Sequence, residues 1–97
     1  MVTGWRRTDR VSDLLKREIS QLLLRREVKD PGIPEMITIT AVEVSADLRH
    51  AQVFYSLMGG IQDAEQCQRA LVRASPFIRR RLGRVLRIKR VPELIFR

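Results

Sequence analysis

The residues best suited to chemistry in this sequence are arginines, and they are concentrated toward its C-terminal end. A guanidinium group stays charged, and its planar fork can donate two parallel hydrogen bonds to a phosphate. The acid-free interval between Glu65 and Glu93 holds nine basic residues: Arg69, Arg73, Arg79, Arg80, Arg81, Arg84, Arg87, Lys89 and Arg90. Because the net charge of the chain is +8, everything outside this interval sums to −1. The segregation predicts a polyanionic partner: nucleic acid first, an anionic membrane less so.

The sequence has few residues suited to a metal site or to catalysis. His50 is the only histidine and Cys67 the only cysteine, so no zinc-binding pair exists. Cys67 falls on an apolar helical face and is expected to be a buried structural thiol. No glycine-rich phosphate loop occurs, and the carboxylates do not cluster as in a metal-dependent nuclease. We therefore expect no enzymatic activity, no cofactor, no metal and no small-molecule substrate.

Length and composition predict a small cytoplasmic protein. A chain of 97 residues suits one domain, residues 1–97, which we expect to be monomeric. A single cysteine allows no intrachain disulfide, which fits a reducing compartment. The start MVTGWRRTDR lacks the apolar region of a secretory signal, and no run of about 18 apolar residues could span a membrane.

Apolar periodicity predicts one helix and a three-stranded mixed sheet. The helix should begin between Trp5 and Asp9 and end near Val28, since prolines follow. Ile37–Ser45 and His50–Leu57 read as a hairpin, and a bulge near Ala41 would place the apolar residues of the first strand on one face. Glu93–Arg97 reads as a last strand. Because helices connect it to the hairpin, a parallel pairing is expected, with the helices packed on one face of the sheet.

The region from Ile61 to Leu86 predicts two helices separated at Ser75-Pro76. Serine is a good N-cap, and proline is favoured at the first position of a helix. We therefore expect one helix to end at Ser75 and another to start in a new direction. The N-terminus of the second helix would be an anion site.

A helical wheel of the second of these helices divides its residues between two faces. Ile78, Leu82 and Val85 should face the core. Arg80, Arg84 and Arg87 should project on the opposite side, over about 10 Å. Arg79 and Arg81 flank the apolar stripe.

The type of polyanion follows from the scarcity of aromatic residues, which make up 5% of the chain. A stacking platform for single strands is poorly supplied, so recognition of structured RNA by backbone and shape is favoured. Two alternatives stay open. One is a protein-interaction module whose basic helix docks on an acidic protein partner. The other is a small DNA-binding domain with Ile78–Ile88 as its recognition helix.

The residues also resemble a known family, over nearly the whole chain. The resemblance is carried by eight segments: Arg6–Val11, Asp30-Pro31, Ile39–Leu48, Ala51–Ser56, Phe77–Arg80, Leu82-Gly83, Arg90–Leu94 and Phe96. Their order and spacing are similar to ribosome-binding factor A, a bacterial small-subunit maturation factor. The resemblance implies an α+β, type II KH-like fold in the order helix, strand, strand, helix, kink, helix, strand. It also implies a non-enzymatic factor that binds the immature 30S subunit through ribosomal RNA. Such a factor assists late maturation and 16S rRNA processing, and is important in the cold.

The resemblance further implies where RNA would bind. In the family an Ala-x-Gly kink replaces the usual KH loop, and the matching positions are Ala74, Ser75 and Pro76, with proline where glycine is typical. A second departure is Gly32, where the family often has arginine. The predicted RNA-binding residues are Arg73, Ala74, Ser75, Pro76, Arg79, Arg80, Arg81, Arg84, Arg87, Lys89 and Arg90. Secondary candidates are Arg6, Arg7 and Arg10.

Overall fold

The computed structural model describes residues 7–58, 64–88 and 90–97, with Arg7 described by its backbone alone. These described residues form two helices and three strands. In chain order they are α1 (Arg7–Leu24), β1 (Ile37–Val44), β2 (His50–Leu57), α2 (Ala64–Leu86) and β3 (Glu93–Phe96).

The sheet confirms the predicted topology. Its strand order is β1-β2-β3, with β1 antiparallel to β2 and β2 parallel to β3. The register shifts between Ile39 and Ala41, so Thr40 is the extra residue of a bulge. Beyond the bulge Val42 is buried, as Ile39 is before it, and both belong to the same core. The bulge therefore corrects the slipped alternation of the first strand, as expected.

One hydrophobic core joins both helices to the sheet. It takes Leu15, Ile19 and Leu22 from α1, and Ala51 and Val53 from β2. From α2 the buried residues are Cys67, Ala70, Leu71, Ala74, Ile78 and Leu82. The side chain of Gln68 adds a polar link, because its amide nitrogen donates to the backbone oxygen of Phe96 at 2.8 Å. The long helix is thus packed on the core from Cys67 to Leu82.

Helix α1 ends at Leu24, four residues before the predicted end at Val28. Arg26 has φ 58°, in the left-handed region. Its N–H donates to the Leu23 oxygen at 3.1 Å, and the N–H of Glu27 donates to the Leu22 oxygen at 3.0 Å. These two bonds form a Schellman motif, which satisfies the last helical carbonyls before the prolines are reached.

The expected break at Ser75-Pro76 is wrong: α2 continues through it, with Pro76 inside the helix. The reason is tertiary. Leu71 and Ala74 before the proline and Ile78 and Leu82 after it are buried in the same core, which holds both halves of the helix against the sheet. The φ that proline fixes is close to the helical value. Pro76 is exposed, so the carbonyl that lacks its N–H partner lies toward solvent.

Replacing Pro76 by alanine tests this continuity. Alanine restores the missing N–H, so the Pro76→Ala variant should gain free energy of unfolding, up to about 3 kcal/mol. The Pro76→Gly variant should gain about 1 kcal/mol less, since glycine is the poorer helix former. Urea denaturation followed by circular dichroism measures both. A lower stability of Pro76→Ala would contradict a helical backbone at this position.

A tight turn before β1 docks on α2. The Asp30 carboxylate accepts a hydrogen bond from the Gly32 N–H at 2.9 Å. A Cβ built on Gly32 would lie 2.9 Å from the Cβ of Ala70 and 3.2 Å from the Gln66 oxygen. Only glycine permits this close approach, which explains why this sequence departs here from the arginine often found in the family it resembles.

Two glycine substitutions should therefore have opposite effects. The Gly32→Ala change should lower the free energy of unfolding by about 1–3 kcal/mol, because the turn must move away from α2. Gly83 is the matched control, since a Cβ there meets only the Val91 side chain at an ordinary 3.5 Å. The Gly83→Ala change should raise stability by about 0.5–1 kcal/mol, as expected within a helix. Equal effects of the two changes, measured by chemical denaturation, would contradict the close packing at Gly32.

Candidate nucleic-acid interface

The continuous helix α2 carries a longer basic row than the sequence predicted. Four arginines recur at steps of four, seven and four residues, which return to one side of a helix. They are Arg69, Arg73, Arg80 and Arg84, and we call them the arginine row. Fifteen residues of rise give the row a length of about 22 Å. Had the helix broken at Ser75, its two halves would have pointed in different directions.

Most of the row faces solvent without an acidic partner. Arg69, Arg80 and Arg84 are exposed. Within the described parts of the chain, none of these three forms an ion pair or a side-chain hydrogen bond. Their guanidinium groups are therefore available for an external anion.

Arg73 differs from the rest of the row because it also holds the turn before β1. Its Nε donates to one carboxylate oxygen of Asp30 at 3.2 Å, and its Nη2 donates to the other at 3.1 Å. The hydrogen bond from Arg73, with that from the Gly32 N–H, lowers the pKa of Asp30 below its ordinary value. The Arg73 side chain stays 58% exposed, so an outer edge of the guanidinium still faces solvent.

Arg79 and Arg81 serve mainly the fold. Arg79 Nη2 donates to the Val91 oxygen at 2.8 Å, which fastens α2 to the segment that leads into β3. Arg81 forms a hydrogen-bonded ion pair with Glu27. The Nε atoms of both arginines are buried. Both residues flank the apolar stripe, as the helical wheel predicted, and this position directs them to internal partners.

The continuous helix changes how the residues around Pro76, which were predicted to contact RNA, are exposed. Ala74 lies in the core, 9% exposed, so its side chain is not offered to a ligand. Ser75 is half-buried and Pro76 is exposed. Since no helix begins at Pro76, the anion site expected at a helix N-terminus there is wrong.

At the C-terminal end of α2, two residues lie differently from the helical-wheel prediction. Val85 was expected in the core but is 51% exposed, because the buried stripe follows the four-residue spacing of Ile78, Leu82 and Leu86. Arg87 follows the helix with φ 51° and is exposed, so it is not part of the helical row.

The remaining predicted residues fall into two groups. Arg90 and Arg10 are exposed, and both line a groove at the end of the domain beside Arg49. Arg6, Lys89 and the side chain of Arg7 lie outside the described residues. Sequence reasoning missed Arg69 and Arg49. The four-residue spacing from Arg69 to Arg73 could have revealed the former, but only with a continuous helix.

Other chemistry has little support in the described residues. Cys67 is fully buried, and burial raises the pKa of its thiol, which confirms the expected structural role. In the described ranges, no three His, Cys, Asp or Glu side chains converge as metal ligands. Neither described helix has the length and apolarity needed to cross a membrane.

The mixed sheet, the element order and the two helices on one face define an α+β domain of the type II KH-like class. A family model described as Ribosome-binding factor A matches residues 7–97. Ribosome-binding factor A of Pseudomonas entomophila (strain L48) is 46% identical over 98 residues, covering 99% of this chain and 73% of that protein. The chain belongs to the ribosome-binding factor A family.

Two solved structures from Thermus thermophilus are similar to this fold. The crystal structure of that organism's ribosome-binding factor A has a TM-score of 0.79 and 27% identity, covering 95% of this chain and 96% of that one. The second is a homology model of ribosome-binding factor A fitted into a cryo-EM map of its 30S complex. It has a TM-score of 0.71 and 28% identity, covering 88% of this chain and 87% of that one.

Neighbouring arginines of α2 should separate stability from binding. The Arg79→Met change keeps the apolar stem but leaves the Val91 carbonyl without its donor. It should lower the free energy of unfolding by about 1–2 kcal/mol. The Arg80→Met change should alter stability by less than about 0.5 kcal/mol and should instead weaken RNA binding. Denaturation and RNA-binding titrations of both variants provide the comparison. If Arg79→Met were as stable as the wild type, a stabilising role for the hydrogen bond from Arg79 to the Val91 oxygen would be disproved.

Proposed function

We propose that this protein binds the immature small ribosomal subunit through ribosomal RNA and assists late 30S maturation and 16S rRNA processing. It acts as a binding factor and not as an enzyme. Residues 1–97 serve as a single, monomeric RNA-binding domain. Binding to small subunits places the protein in the cytoplasm, and its assistance to assembly is most needed in the cold.

The arginine row is the observation that carries the proposal. Three of its four arginines are exposed and have no internal partner among the described residues. A row of about 22 Å on one continuous helix can contact several phosphates of a folded RNA. The 30S complex of the similar Thermus thermophilus protein supports the choice of the small subunit as that RNA's source.

The physics of the contact is electrostatic and independent of base sequence. Each arginine that neutralises a phosphate releases condensed counterions, so affinity should fall steeply with salt. Arginine suits this better than lysine because its fork matches two phosphate oxygens at once. The row lies on a helix whose other face is buried. The helix backbone therefore needs little further ordering when RNA binds.

Charge reversal at two row positions tests the proposal. The Arg80→Glu/Arg84→Glu variant should bind small subunits about a hundredfold more weakly, because two charge-assisted contacts of about 1.5 kcal/mol each are lost. Co-sedimentation with immature 30S subunits measures the effect, and circular dichroism should show an unchanged fold.

The matched control reverses two exposed charges outside the row. Lys16 lies on α1 and Arg25 just after it, and both are exposed. Lys16→Glu/Arg25→Glu lowers the net charge from +8 to +4, as the test variant does. The control should keep most of its binding. Equal losses in the two variants would show a general charge effect and would refute a specific role for the row.

Nuclease treatment distinguishes RNA from an acidic protein partner. The protein should be released from isolated subunit complexes when the RNA is digested. Retention on a protein component after complete digestion would favour the alternative of a protein-interaction module.

A further inference from the structure

A groove lies outside the arginine row, since none of its lining residues belongs to α2. It is formed by the first turns of α1, the turn between β1 and β2, and the segment that follows α2. Its volume is about 480 Å³, within the range of small-ligand sites. The lining includes Arg10, Leu14, Leu48, Arg49, Ile88 and Arg90, and we call it the arginine groove.

The charge of the arginine groove favours an anion. Arg10, Arg49 and Arg90 are exposed, and within the described residues none of them forms an ion pair. Asp47 is the one acidic residue of the lining. Its carboxylate accepts hydrogen bonds from the Ser45 hydroxyl at 2.6 Å and the Arg49 N–H at 3.0 Å. Asp47 is thus engaged by its own turn, and the three guanidinium groups are left for a ligand.

The rest of the lining is apolar, which a free phosphate would not require. Leu14, Leu48 and Ile88 are half-buried and stand outside the main core. Leu14 comes from the apolar stripe of α1, yet it lines this groove instead. A ligand that fits this lining combines an apolar part with negative charge.

Leu48 is the least expected of these residues. Its φ is 62°, in the left-handed region, where glycine or asparagine is normal. A leucine there costs about 1 kcal/mol of backbone strain. It lies in a hairpin turn, yet it supplies an apolar side chain to the wall of the groove. The strain is consistent with a binding role for that side chain.

We propose that the arginine groove holds an unpaired nucleotide of single-stranded RNA. The base lies against Leu14, Leu48 and Ile88, and the flanking phosphates contact Arg49 and Arg90. This inference rests on the proposed function and extends it. The arginine row takes the backbone of folded RNA, while the groove takes one base that leaves a neighbouring helix or loop.

The test compares two strands that differ only in their bases. A fluorescent single-stranded RNA hexamer and an abasic strand of the same length are titrated into the full chain by anisotropy. The hexamer should bind about tenfold more tightly, since one base gains an apolar contact. The Leu48→Asn change should remove most of this difference while the abasic strand binds as before. Asparagine tolerates the left-handed turn, so thermal stability should not fall.

Charge variants complete the design. Arg49→Gln/Arg90→Gln should weaken binding of both strands about tenfold, because phosphate contacts are lost. Leu24→Asn and Lys16→Gln/Arg25→Gln are the controls, since these residues are exposed and lie outside the groove. Both controls should bind as the wild type does.

The outcomes separate this inference from the proposed function. Equal affinity of the wild type for the two strands, or no effect of Leu48→Asn, would overturn the nucleotide groove. Neither result would touch the role of the arginine row, which the 30S co-sedimentation of Arg80→Glu/Arg84→Glu tests independently. Conversely, if the double variant still bound 30S subunits, the role of the arginine row in binding would be refuted. The comparison of the two strands would still test nucleotide binding in the arginine groove.

Discussion

Helix α2 buries one face from Cys67 to Leu82, on both sides of Pro76, against a single core. Proline removes one helical hydrogen bond and crowds the preceding turn, at a cost of about 3 kcal/mol. Burial of side chains such as Leu71 and Ile78 contributes about 1.5–3 kcal/mol each, so packing exceeds the local penalty. The continuity of the arginine row, and hence the shape of the candidate RNA surface, depends on this balance.

The same buried face divides the arginines of α2 into two kinds. Those beside the apolar stripe, Arg79 and Arg81, are close enough to neighbouring segments to find a carbonyl or a carboxylate. Those opposite the stripe, such as Arg80 and Arg84, face solvent with no internal partner in the described chain. Position relative to the core, and not charge, decides which arginines stabilise the domain and which remain for a ligand. Arg73 lies between these kinds, because it holds Asp30 and is still largely exposed.

The end of the domain combines elements that are distant in sequence. Arg10, Arg49 and Arg90 come from α1, the hairpin turn and the segment after α2. The parallel pairing of β2 with β3 brings the last two together, since His50 is paired with Glu93. A second positively charged region therefore arises where the fold brings together three arginines from separate segments of the chain. A domain with both regions could contact folded and unpaired RNA at the same time.

Several features could be derived from the residues alone, because they rest on local periodicity and charge. The bulge near Ala41, the hairpin, the parallel last strand and the burial of Cys67 follow from alternation, turn chemistry and connection rules. The basic segment follows from counting charges. The sequence therefore determined the fold class and predicted a polyanionic partner. Local signals failed where long-range packing outweighed them, at Ser75-Pro76 and at Val85. Only the tertiary structure could decide that α2 is one helix, that Arg69 aligns with Arg80, and that Arg49 joins Arg10 and Arg90. These outcomes depend on which surfaces the core covers, and this is set by contacts between residues far apart in the chain.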